Sequence, residues 1–179
     1  MTSSPKAHLL VWEDDCFACE GTITTLANAA DVVSAFNPAW GGFKIGNGGS
    51  GMLFHAELAA PLVIYLLSRR GSDNVDVAMW RFLHSGAYAD YLARETWSAH
   101  RGILSSFGGS WKRVECGNAL DWYWGWYTDC EAAKMISQAE TVAQGAAVTV
   151  DKDRLSAFAP KWRCSVWSAG SSGVMPPSP

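Results

Sequence analysis

The hydrophobic positions along this chain change period several times, and each change suggests an element. Ala7 to Trp12, just after Pro5, is a short apolar run and reads as a buried strand. Glu13-Asp14-Asp15 then supplies carboxylates suited to the positive end of a helix, and an alanine-rich helical stretch follows from about Cys16 to Ala35. Asn37 to Gly51 is glycine-rich and reads as a loop or hairpin, with short strands at Phe43–Ile45 and Met52–Phe54 around a Gly-Asn-Gly-Gly turn.

A helix is expected from about His55 to Arg69, with Pro61 marking a kink or a first turn and Arg69-Arg70-Gly71 closing it; its apolar run makes it the expected centre of the fold. Trp80, Leu83, Ala87 and Tyr91 recur at helical spacing, so Val77 to about Leu104 reads as one long or two short amphipathic helices, the break falling at Ser85-Gly86. Farther on, Trp111 to Glu115 suggests a short strand, Glu131 to Ala147 a helix and Val148 to Val150 a brief strand. Lys161 to Trp167 alternates Trp162, Cys164 and Val166 on one side, a strand pattern. Asp121 to Tyr127 is aromatic on every face and fits neither period. The sum is an α+β, helix-dominated single domain over residues 1–169 with a small mixed sheet, and a Ser/Gly/Pro tail at 170–179 expected to be disordered.

Composition narrows the function classes. With 49% apolar and 17% charged residues in 179, there is ample material for one core. A net charge of −3 gives no overall basic field for phosphate backbones. The Met52–Leu67 run is interrupted by His55, Glu57 and Pro61 and is shorter than the roughly 20 apolar residues a bilayer crossing needs, so no membrane partner is expected. Five cysteines, an odd count, and an N-terminus lacking an apolar signal run point to a cytoplasmic chain with reduced thiols. The glycines at 46–51 lack the Lys-Ser/Thr of a phosphate-binding loop.

Two motifs carry chemistry. Cys16-Phe17-Ala18-Cys19 offers thiols at a spacing that suits one metal ion, a redox disulfide, or two inert core positions. The three preceding acidic residues raise the first thiol's pKa, which disfavours the redox use and is better tolerated by a metal. In Phe54-His55-Ala56-Glu57-Leu58, the imidazole is a candidate metal ligand and the Glu57 carboxylate a candidate proton shuttle for metal-bound water.

Taken together, these residues resemble the zinc-dependent cytidine and nucleobase deaminase superfamily, which pairs His-x-Glu on one helix with Pro-Cys-x-x-Cys at the start of another. The resemblance implies a zinc cofactor on His55, Cys16 and Cys19, Glu57 as catalytic acid/base, and a cytosine-type substrate, free or in single-stranded nucleic acid. The motif order is reversed here and Asp15 stands where the family has proline, so a permuted connection is required. A second class is a tryptophan-rich binding module for carbohydrate, nucleic acid or protein. There Trp122, Trp124 and Trp126 would stack on the ligand, with Arg101, Lys112 and Arg113 near in sequence to meet phosphates. His84 and His100, 16 residues apart, are a fainter candidate pair, and Cys116, Cys130 and Cys164 with a histidine are a fainter structural zinc candidate.

Overall fold

The computed structural model describes residues 7–46, 51–85, 88–100, 115–120, 127–143 and 149–165. In chain order the strands are β1 (Leu9–Val11), β2 (Cys16–Ala18), β3 (Trp40–Lys44), β4 (Met52–Phe54), β5 (Ala89–Ala93), β6 (Ser98–His100), β7 (Tyr127–Asp129) and β8 (Trp162–Ser165). The helices are α1 (Thr22–Phe36), α2 (Ala59–Ser68), α3 (Val75–Ser85), α4 (Ala132–Ala143) and α5 (Lys152–Phe158). Six strands form one mixed sheet in the order β1-β4-β3-β5-β8-β7, and β2 and β6 form a separate antiparallel pair. This is the expected α+β architecture, with a larger sheet.

Strand alternation divides the sheet into two working faces. Trp40, Phe43, Ile45, Leu53, Tyr91 and Trp162 pack with α1, α4 and α5 in the main core. Phe43 is its centre: its ring stacks on Tyr91 at 5.1 Å and meets Trp162 edge-on at 4.7 Å, and Trp162 in turn stacks on Phe158. Helix α1 presents Leu26, Ala29, Ala30, Val33 and Phe36 at helical spacing to this cluster. On the other face Met52, Phe54, Leu9 and Val11 pack with Leu58, Leu62, Met79, Phe82 and Leu83 of α2 and α3. Gly42 is what lets α3 approach, because a Cβ there would stand 2.9 Å from the Leu53 carbonyl oxygen and 3.1 Å from Leu83 Cδ1.

The β3–β4 hairpin forms around the expected glycine-rich turn, although β3 is Trp40–Lys44 and not Phe43–Ile45, and α2 opens at Ala59, after a 3-10 turn at Ala56–Leu58, and not at His55; pairings such as Lys44↔Met52 and Gly42↔Phe54 fix the hairpin's register. Other expectations are corrected. The Cys16–Cys19 segment does not open a helix: Cys16–Ala18 pairs with Ser98–His100, the Cys19 N–H donates to the Trp97 carbonyl, and Gly21 at φ 73° turns the chain before α1 starts at Thr22. Of the helices expected over Val77 to about Leu104, the part up to Ser85 is α3, but Ala89–Ala93 is a central strand lying parallel to β3. Tyr91 and Leu92 match a helical period by spacing alone; the hydrogen-bond ladder available between β3 and β8 decides otherwise. Thr149 and Val150 lie outside any strand. Helix α2 is peripheral, with Leu62 its one buried residue. The tail at 170–179 and most of the strand expected at 111–115 lie outside the described residues.

Four cysteines are oxidised, against the expectation of reduced thiols. Cys19 is bonded to Cys116, and Cys130 to Cys164. An odd count conceals two pairs and one remaining thiol, Cys16. No helix among the described residues is long and apolar enough to cross a membrane.

Candidate metal centre

The β2–β6 ladder sets Cys16 directly opposite His100. Just before β2 the chain turns tightly, with the Cys16 N–H donating to the Glu13 carbonyl, and this folds the acidic segment back over the strand pair. His100 Nε2 lies 3.3 Å from Asp15 Oδ2 and 3.9 Å from Glu13 Oε2, and Cys16 Sγ lies 3.6 Å from Glu13 Oε2 and 3.8 Å from Asp15 Oδ1. One ligand atom from each of the four residues falls within 4.8 Å of all the others. Zinc bonds of about 2.3 Å to sulfur and 2.0–2.1 Å to nitrogen or oxygen at tetrahedral angles put donor atoms roughly 3.3–3.6 Å apart. The 3.3–3.9 Å spacings from His100 and Cys16 to the two carboxylates lie in that range or a few tenths of an ångström beyond it.

The donor set is one thiol, one imidazole and two carboxylates, a mixture that suits zinc better than calcium or magnesium, which favour oxygen throughout. The carboxylates are the looser members, with side chains 41% exposed at Glu13 and 44% at Asp15, against 23% at His100. Burial raises the Glu13 carboxyl pKa, while the Cys16 thiol and the His100 imidazole pull it down.

The residues expected as ligands are dispersed. Cys19 Sγ is bonded to Cys116 and is no ligand while that bond stands; for the same reason Cys16 and Cys19 do not form the redox pair their spacing suggested. His55 is buried: its ring meets Trp40 edge-on at 5.0 Å, and its Nδ1 accepts the Glu57 N–H, capping the 3-10 turn Ala56–Leu58. Glu57 is exposed at that turn. Neither belongs to the metal-capable group, and Cys16 is the one residue shared between the expected and the observed sets. Glu13 and Asp15 read in the sequence only as helix-start carboxylates, and His100, a faint candidate there, is brought to Cys16 by strand pairing between distant segments, which leaves no mark in local spacing. The acidic run beside the first cysteine was the available signal.

A second polar group lies on the same side of the main sheet as α3. Lys44 is 6% exposed and Asp90 2%, and the Tyr127 hydroxyl donates to Asp90 Oδ2, with His84 Nε2 at 3.8 Å from the same oxygen. Burial lowers the Lys44 pKa to about 8, against the raising influence of Asp76, Asp90 and Glu13. Burial also lowers that of His84, with Asp90 opposing and Lys44 reinforcing the shift. Beside this group a cleft of about 740 Å³ opens, lined by Asn37, Asp90, Thr128, Asp129, Lys134 and Ser165 among others.

Trp40, Trp80 and Trp162 are buried, and Trp12 and Trp97 pack against the main core, so the described tryptophans serve packing. Trp122, Trp124 and Trp126, with Arg101, Lys112 and Arg113, lie outside the described residues. No protein-family model, curated protein or solved structure matches this chain.

Proposed function

We propose that this protein is a zinc-dependent hydrolase whose metal is held by Cys16, His100, Asp15 and Glu13. The observation that carries the reading is the convergence of thiol, imidazole and carboxylate donors on one point across a strand pair. Cys16 and His100 stand on paired backbone and are the firm ligands. Asp15 and Glu13, at the rim and more exposed, are the ones able to swing aside, opening a position for water and leaving a carboxylate to accept its proton. Zinc bound there would supply a Lewis acid and an acidified water.

The substrate class to test first is carried over from the sequence resemblance, of which Cys16 alone belongs to this site: a cytosine-type base, whose hydrolytic deamination would release ammonia. The two disulfides support an oxidising compartment as the working environment in place of the cytoplasm.

The test is elemental analysis of protein purified without chelators or a metal-affinity tag, followed by an ammonia-release assay on cytosine and cytidine. One zinc per chain, lost in His100→Ala and Cys16→Ser but kept in His55→Ala, is expected. Zinc that survives His100→Ala and is lost in His55→Ala would transfer the site to the other histidine. Zinc-free protein in every preparation would end the reading.

A further inference from the structure

Helix α2 is apolar nearly all round, Ala59-Ala60-Pro61-Leu62-Val63-Ile64-Tyr65-Leu66-Leu67-Ser68, yet Leu62 is its one buried residue. A helix apolar on every side belongs inside an assembly, and here the second cluster covers only one side. The opposite side carries Val63 at 52% exposure, Ile64 at 69% and Leu67 at 66%. With exposed Ala60 these stand at i, i+3, i+4 and i+7, the narrow seam of a helix pair rather than the broad face of a helix lying in a bilayer surface. The ends of the stripe are charged with opposite sign: exposed Glu57 precedes it, and exposed Arg69 and Arg70 follow it.

We propose that this stripe is a self-association surface, on which α2 packs antiparallel against α2 of a second copy of the chain about a twofold axis. An isologous interface must be complementary to itself, and this one is. A twofold axis midway between Val63 and Ile64 sets Val63 against the partner's Ile64, the small Ala60 against the partner's large Leu67, and Glu57 against the partner's Arg70. Every apolar residue of the stripe then meets an apolar residue, and each charged end meets its opposite. Anionic lipid would leave Glu57 opposed by like charge, which is why a second copy is the favoured occupant. The stripe alone is smaller than a standard interface of about 800 Å² per partner, so the dimer should be weak, with Kd in the micromolar range.

Sedimentation equilibrium on the whole protein, from about 1 to 100 µM in the expected Kd range, tests this. The wild type should move from monomer to dimer across that range. Ile64→Lys should stay monomeric with an unchanged far-UV circular dichroism spectrum, its dissociation constant raised at least about tenfold. Glu57→Arg should weaken the dimer, and adding Arg70→Glu to it should restore it, a result only the antiparallel register gives. Wild type that stays monomeric at about 100 µM, an Ile64→Lys protein that dimerises like wild type, or a monomer that co-sediments with vesicles of phosphatidylcholine and phosphatidylserine would each overturn the proposal.

Discussion

Cys16 and His100 are directly opposed across the β2–β6 ladder, so their side chains leave the strand pair on the same face. Two firm donors are thereby held by backbone pairing, and only the acidic residues need to adjust. Cobalt(II) substituted for zinc should show a thiolate-to-metal charge-transfer absorption that vanishes in Cys16→Ser. It should persist in Glu13→Gln, with metal affinity reduced about 10- to 100-fold. A charge-transfer band unchanged in Cys16→Ser would remove the thiol from the site.

Lys44 makes stability depend on pH in a definite direction. Its pKa is about 8 in the folded protein and near 10.5 in the open chain. Between those values the unfolded chain binds more protons, so this residue's contribution to stability rises with pH across that window and is at its most unfavourable below about pH 8. Replacing Lys44 by Met removes the titration. The unfolding free energy of Lys44→Met minus that of wild type should therefore be larger at pH 7 than at pH 10.5, measured by urea denaturation. The high pKa of buried Tyr91, about 12, acts equally in both proteins and cancels in the difference. A difference that does not change with pH would mean that Lys44 titrates as a solvated amine.

The cysteine pairing predicts one titratable thiol per unfolded, unreduced chain, and five after reduction. Cys130→Ser should cost about 2–4 kcal/mol through the loop it opens, lowering Tm by roughly 4–16 °C in a chain of this size. Counting thiols with a chromogenic disulfide reagent and calorimetry of the variant check the two statements. Three or more thiols before reduction would contradict the pairing.

Two glycines should respond unequally to alanine. Gly42→Ala forces its Cβ onto the Leu53 carbonyl and Leu83, and should cost about 1–3 kcal/mol. At Gly21 a Cβ meets nothing within 4 Å, and only the left-handed backbone at φ 73° opposes it, for about 1 kcal/mol. Equal losses in the two variants, measured by thermal unfolding, would show that α3 does not press on β3.

What the sequence disclosed follows from how local each signal is. The β3–β4 hairpin and α2 were legible because glycine turns, proline and terminal arginines act within a few residues. Strand β5 was not, since Tyr91 and Leu92 follow Trp80 and Leu83 at a spacing that also suits a helix, and only pairing with Phe43 and Lys44 makes them strand. The same blindness hid the candidate site. Cys16 stands out in the sequence for its neighbour Cys19, but its partner across the strand pair is His100, 84 residues away, to which no local spacing connects it. His55 was chosen for its chemistry, and its burial against Trp40 depends on packing that no motif encodes.

Strand order has a consequence for how the chain matures. β8, the last described strand in sequence, is inserted between β5 and β7, so the sheet is completed by a strand that is synthesised after both of its neighbours. Until Trp162 arrives, the edge of β5 is open and Phe43 lacks one of its aromatic neighbours. Nascent protein therefore carries an unpaired strand edge beside a half-built core until β8 has emerged, the condition in which chaperone capture or edge-to-edge aggregation competes with folding.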